Sequence, residues 1–181
     1  WSPNTLVYES PSGSVCECCH PTAAVDAQGR IFVMFRNSID GNRDMYLVRS
    51  DDGGKTFGAA AKLGAGTWKL NACPMDGGAL QVAADGKPLT IWRREGEVFL
   101  SAGPNLERRI GAGRHPILAT TPRGPALAWT EGKQLKVVAP AQKAAATIES
   151  DAAYPSMVAL SSGAVVLAWE QGGAIVVKAL D

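Results

Sequence analysis

The chain has 181 residues, with 18 Lys plus Arg against 17 Asp plus Glu and a formal charge of +1, which argues against the basic surface of a dedicated nucleic-acid binder. Hydrophobic residues make up 46% and there are 20 Gly and 11 Pro, the balance of a turn-rich globular domain rather than of a disordered segment. No apolar run reaches the length of a membrane helix, and the chain opens at Trp1 without a signal-peptide pattern, as a processed or truncated product would.

Taken in order, the first predicted element is a short strand at Thr5–Glu9 (TLVYE), with no obvious partner. A cysteine-rich loop follows, Cys16-Glu17-Cys18-Cys19-His20. Pro21–Arg36 then reads as two apolar strands around a turn at Gly29, and the same pattern returns at Gly78–Arg93, Pro116–Thr130 and Pro155–Glu170. Each of these four segments opens on Pro or Gly, has Gly eight positions later (Gly29, Gly86, Gly124, Gly163) and closes near an aromatic (Phe35, Trp92, Trp129, Trp169). A third, alternating strand follows each pair: Met45–Arg49, Val98–Ser101, Gln134–Ala139 and Ala174–Ala179. A weaker fourth strand follows the first three, near Ala59–Leu63, Leu106–Ile110 and Ala145–Glu149.

Four-stranded units repeating at this spacing predict an all-β fold, a β-propeller with antiparallel blades at about 21–66, 78–111, 116–149 and 155–181. The last unit lacks a fourth strand, and Thr5–Glu9 could supply it and close the ring. Either residues 1–181 are a single small propeller domain, or they are the C-terminal part of a six-bladed one completed by an N-terminal portion or a second copy.

Between the third and fourth strands of the first unit stands Ser50-Asp51-Asp52-Gly53-Gly54-Lys55-Thr56-Phe57. Asp52 can accept hydrogen bonds from turn amides, Gly54 can take positive φ and Phe57 can anchor the hairpin. Ser50, Asp52, Gly54, Thr56 and Phe57 fit S-x-D-x-G-x-T-F, and the segment resembles the Asp box of sialidase-like (BNR-repeat) propellers. Together with Cys16-Glu17-Cys18-Cys19, Arg43-Asp44 and the segment running from Trp68 to Gly77, the chain is similar to a bacterial subset of that family. The resemblance implies that the Asp box is structural and lies away from the active face. A sialidase of this kind would add an arginine triad, a Tyr/Glu nucleophile pair and an Asp acid/base; no Arg-Ile-Pro-type segment is present.

In an up-and-down blade, the loop leading into it and its second-to-third strand loop share one end, and the Gly turn and the Asp-box turn share the other. This places Cys16, Cys18, Cys19, His20, Cys73, Asp76, Arg114, His115 and Tyr154 at the same end as Arg36, Arg43 and Arg93. The cysteines read either as two disulfides pinning a leading loop or, with His20 and His115, as a soft-metal site for copper or zinc, which Met75 tilts towards copper. Arg36, Arg43, Arg93 and Arg114, with Asp76 and Tyr154, are candidate ligand-binding residues for a small anionic or glycan ligand. The plainer role for the arginines is pairing with Asp40, Asp44 or Glu95. Trp68, outside the repeat position, is open to sugar stacking or loop packing.

The function expected is a secreted or periplasmic binding module for a metal or a small anionic or glycan ligand. An exo-acting glycoside hydrolase of the sialidase kind is the alternative, and a protein-interaction scaffold the third. No pair of carboxylates is singled out by spacing as the acid and base of a hydrolase.

Overall fold

The computed structural model describes residues 2–103 and 106–180, and the fold is an all-β propeller. Sixteen strands form four antiparallel sheets in chain order. The first blade holds β1 (Ser14–Val15), β2 (Thr22–Val25), β3 (Ile31–Ser38), β4 (Met45–Ser50) and β5 (Ala61–Lys62). The second holds β6 (Ala79–Val82), β7 (Pro88–Arg94), β8 (Glu97–Ser101) and β9 (Arg108–Ala112). The third holds β10 (Arg114–Thr121), β11 (Gly124–Glu131), β12 (Gln134–Val138) and β13 (Ala146–Glu149); the fourth has three strands, β14 (Ala152–Ala159), β15 (Val165–Gln171) and β16 (Ala174–Leu180). The leading strands β2, β6, β10 and β14 lie side by side in that order.

Alternation of apolar and polar residues makes these segments strands, and glycine sets the turns: Gly29, Gly86 and Gly163 sit at φ 78°, 76° and 85°. The core lies between blades. Trp92 packs with Phe32, Met34, Met45 and Leu63 of the first blade. Trp129 packs with Leu89, Ile91, Val98 and Leu100 of the second, and Trp169 with Ala126, Ala128, Leu135 and Val137 of the third. The repeated aromatic is therefore the side chain by which each blade grips the one before it. At Gly111 the grip leaves no room for a side chain, since a Cβ there would come within 2.7 Å of the Trp129 ring.

Phe35, the first blade's counterpart of those tryptophans, meets no earlier blade among the described residues. Tyr8 lies on it instead, with ring centroids 4.6 Å apart, and its hydroxyl accepts from Asn37 Nδ2 at 2.7 Å. Thr5–Glu9 forms no strand, contrary to the sequence expectation; the segment covers the first blade through this side chain and does not complete the fourth sheet.

Candidate functional site

The strand that leads into a blade is broken at the same place in three blades. In the first, β1 pairs with the end of β3 (Ser14 opposite Ser38, Val15 opposite Asn37), and Cys16 N donates to Arg36 O at 2.8 Å. Pairing resumes at Thr22 opposite Met34, so Glu17–Pro21 are looped out of the ladder. In the third blade the register shifts between Arg114 and Ile117, and in the fourth between Ala153 and Ser156. Proline explains the site of the break: Pro21, Pro116 and Pro155 have no N–H to give to the ladder. The residues before two of these prolines are left-handed, His115 at φ 52° and Tyr154 at φ 47°. Such a conformation costs a non-glycine residue on the order of 1–3 kcal/mol and is typical of functional sites. Their rings meet at 5.0 Å.

The second blade's leading segment passes close over the first. A Cβ on Gly77 would run into the His20 carbonyl, and Thr22 Oγ1 donates to Gly78 O at 2.7 Å. This close passage is what carries Asp76 in between Arg36 and Arg93. Asp76 is 3% exposed and lies between two guanidinium groups. Its Oδ2 is 2.7 Å from Arg93 Nε and its Oδ1 is 3.5 Å from Arg36 NH2. The Arg93 Nε–H does not point along its contact, so charge attraction and not an aligned hydrogen bond holds that pair. Arg36 is itself 1% exposed and donates to the carbonyls of Arg43 at 2.6 Å and Arg93 at 2.9 Å. Arg93 NH2 donates to Pro74 O at 2.8 Å.

Both guanidinium groups stack on Trp68, at 5.4 Å for Arg36 and 5.0 Å for Arg93. Trp68 is buried and its amide donates to Asp44 Oδ1 at 2.9 Å, which settles its role as loop packing. Asp76, then, is the counter-ion of Arg36 and Arg93, in place of the Asp40, Asp44 or Glu95 expected from sequence. Arg43 is half-buried and donates to Leu70 O at 3.4 Å, whereas Arg114 and Tyr154 are exposed.

The sulfurs sit beside this network. Cys18 and Cys73 are joined in a disulfide, with Cα atoms 6.5 Å apart. Cys16 and Cys19 are buried free thiols whose sulfurs lie 2.7 Å apart. Cys18 Sγ is 3.6 Å from Cys16 Sγ and 3.8 Å from Cys19 Sγ. Burial, with the Cys16 contact behind it, pushes the Cys19 thiol up to about 12. Among the described residues the compact set of possible metal ligands is Cys16, Cys18 and Cys73; His20 and His115 stand outside it. Met75 is exposed. Burial lowers the pKa of the His115 imidazole, the Asp76 carboxylate opposing and the Arg114, Arg93 and His20 charges adding to the shift. His115 thus lies within electrostatic reach of His20, Asp76, Arg93 and Arg114, with Tyr154 against its ring.

The opposite end holds the Asp52 turn. Asp52 Oδ1 accepts from the amides of Lys55 and Thr56 at 3.0 and 2.9 Å, and Oδ2 from Thr56 Oγ1 at 2.6 Å. Ser50 Oγ donates to Asp52 Oδ1 at 2.8 Å and accepts from Gly54 N at 2.8 Å.

No protein-family model matches the chain, and no curated protein matches it by sequence. Solved structures do. A protein of unknown function from Dyadobacter fermentans superposes with a TM-score of 0.63 at 14% identity, over 100% of this chain and 65% of that one. The Penicillium chrysogenum α-L-arabinanase complexed with arabinobiose gives 0.58 at 14% identity, over 89% of this chain and 56% of that one. The endo-arabinase of Bacteroides thetaiotaomicron gives 0.54 at 14% identity, over 97% and 79%. The likeness is one of fold. This chain spans less than two thirds of the first two neighbours' lengths.

Proposed function

We propose that the protein is a secreted or periplasmic binding module whose leading-loop face takes a small anionic ligand, an acidic sugar above all. The observation behind this reading is an imbalance of charge. Arg36 and Arg93 share one carboxylate, Asp76, and the further cation Arg114 lies, with Asp76 and Arg93, within electrostatic reach of His115. An incoming carboxylate would supply the missing negative charge, with Arg114 as the accessible forked donor. Tyr154, 66% exposed beside His115, offers a ring for a sugar to stack on. The backbone strain at His115 and Tyr154 fits residues held for a ligand and not for the core. The Cys18–Cys73 disulfide suits an oxidising compartment.

Hydrolysis is the second reading, motivated by the propeller fold that the chain shares with arabinanases. It needs two carboxylates flanking a cleft. Asp76, the carboxylate at the centre of this face, is committed to Arg36 and Arg93, so binding is favoured over turnover. Calorimetric titration with N-acetylneuraminate, galacturonate and neutral arabinobiose separates these readings. Tighter binding of the acids, weakened at least fivefold in Arg114→Ala and in Tyr154→Ala, is expected. Equal affinity for the neutral sugar would overturn the anion reading, and release of reducing sugar from arabino-oligosaccharides would favour the hydrolase.

A further inference from the structure

The four cysteines meet more closely than two separate bridges require. Two disulfides need only two sulfur–sulfur contacts, one within each pair. Here Cys18 touches all three other cysteines: it is bonded to Cys73 and lies 3.6 and 3.8 Å from Cys16 and Cys19. Cys16, Cys18 and Cys73 all lie within 4.8 Å of one another, and Cys19 is packed behind Cys16 at 2.7 Å. The edge of a tetrahedron of thiolates around zinc, with metal–sulfur bonds of about 2.3 Å, is about 3.8 Å. The Cys18 contacts already have that length, and the Cys16–Cys19 pair, at 2.7 Å, has to open by about 1 Å to reach it. We infer that, once the Cys18–Cys73 bridge is reduced, these four cysteines form a thiolate site for a soft d10 cation, copper(I) or zinc.

The surroundings suit such a site. Cys18 and Cys73 are exposed and give a cation its way in, while Cys16 and Cys19, 3% and 4% exposed, close the inner side. The buried Arg36 guanidinium lies within electrostatic reach of Cys16 and Cys19, and its charge offsets the surplus of thiolates over the cation. The donors come from the leading loops of the first and second blades, so a bound cation joins the same two loops that the disulfide joins.

Loading is coupled to redox state. A dithiol reductant transfers two electrons and two protons to the bridge, becoming a disulfide itself and leaving Cys18 and Cys73 as thiols. The cation then displaces one proton from each thiol that binds it: four for tetrahedral zinc, three for a trigonal copper(I) site built on Cys16, Cys18 and Cys73. This site stands apart from the anion-binding reading, and its test involves no sugar.

The full chain, reduced and kept anaerobic, is titrated separately with zinc against a chromophoric chelator and with copper(I) supplied as its acetonitrile complex. One equivalent of one cation should bind, with protons released and the ligating thiols shielded from alkylation; four shielded thiols indicate zinc and three indicate copper(I). The oxidised chain should bind at least 100-fold more weakly, and so should reduced Cys18→Ser. Less than half an equivalent of both cations on the reduced, folded chain overturns the site. So does undiminished binding in the Cys18→Ser/Cys73→Ser double variant. If reduction unfolds the chain, recovery of its near-ultraviolet circular dichroism on adding either cation supports the site, and failure to recover it with both overturns it.

Discussion

The two ends of the propeller satisfy their polar groups by opposite means. At the Asp52 turn every partner is local: Ser50, Gly54, Lys55 and Thr56 lie within four residues of the atoms they bond. At the leading-loop end the partners are remote, with 40 residues between Arg36 and Asp76, 57 between Arg36 and the Arg93 carbonyl, and 55 between Cys18 and Cys73. The first arrangement needs only its own hairpin to form. The second exists only once the first and second blades have docked, so it reports on the docking of those blades and is where strain and buried charge are stored. A turn of the first kind adds local order, whereas a network of the second kind also ties the blades together and shapes a surface.

Three predictions sharpen that contrast at the remote end. Asp76→Ala leaves the buried Arg36 and the half-buried Arg93 guanidinium groups without their counter-ion, and should cost about 3–5 kcal/mol in denaturant unfolding. The triple variant Arg36→Met, Asp76→Leu, Arg93→Met, which removes all three charges, should recover much of that loss; if it is no more stable than Asp76→Ala, the charges are not the cause. Cys73→Ser opens a loop spanning 55 residues, and chain entropy alone puts the loss at about 4 kcal/mol, within the usual range of about 2–5. Adding a reductant to the wild type should reproduce that loss, and adding it to the variant should change little. Tyr154→Gly relieves a left-handed tyrosine at φ 47°. It should raise stability slightly, by about 1 kcal/mol or less, while weakening ligand binding. A variant that lost both stability and binding would show that the Tyr154 ring is part of the packing.

Legibility follows the same division. The blades were readable because their signals are local: a strand period of two, a Gly turn eight residues after the opening Pro or Gly, and an aromatic that recurs at the inter-blade grip. The Asp52 turn was readable for the same reason. The alternation of turns between two ends also assigned His20, Asp76, Arg93, Arg114, His115 and Tyr154 to one end of the blades, as an expectation from sequence. The pairing within that end was not readable, because nothing near Asp76 in sequence says that Arg36 and Arg93 will converge on it. The Gly77-Gly78 pair was the available signal, since two adjacent glycines allow the close passage over His20 that brings Asp76 inward. Thr5–Glu9 misled because an apolar alternating run is equally suited to laying one aromatic ring, Tyr8, on Phe35.

The smallest effect is expected at the local end, and pH isolates it. Hydrogen bonds from the Thr56 hydroxyl and amide, and from Ser50, hold the Asp52 carboxyl well below the usual carboxylate range. A carboxyl whose folded pKa is depressed contributes stability in full above its unfolded pKa of about 3.9 and loses that contribution as pH falls below it. Asp52→Asn keeps an oxygen that can accept from the Lys55 and Thr56 amides, and removes the charge together with the oxygen that accepts from the Thr56 hydroxyl. The variant should therefore melt slightly below the wild type at pH 6, and the gap should close as pH falls from about 4 towards 2. Because Asp52 is exposed, solvent screens the interaction and the gap stays small. The pH dependence of the remaining carboxylates cancels in the difference between the two proteins, so the closing gap belongs to Asp52. A gap that persists unchanged at pH 2 would mean that the turn depends on the shape of the aspartate and not on its charge. Loss of ligand binding in this variant would mean that the turn and the leading loops communicate, against the separation of the two ends.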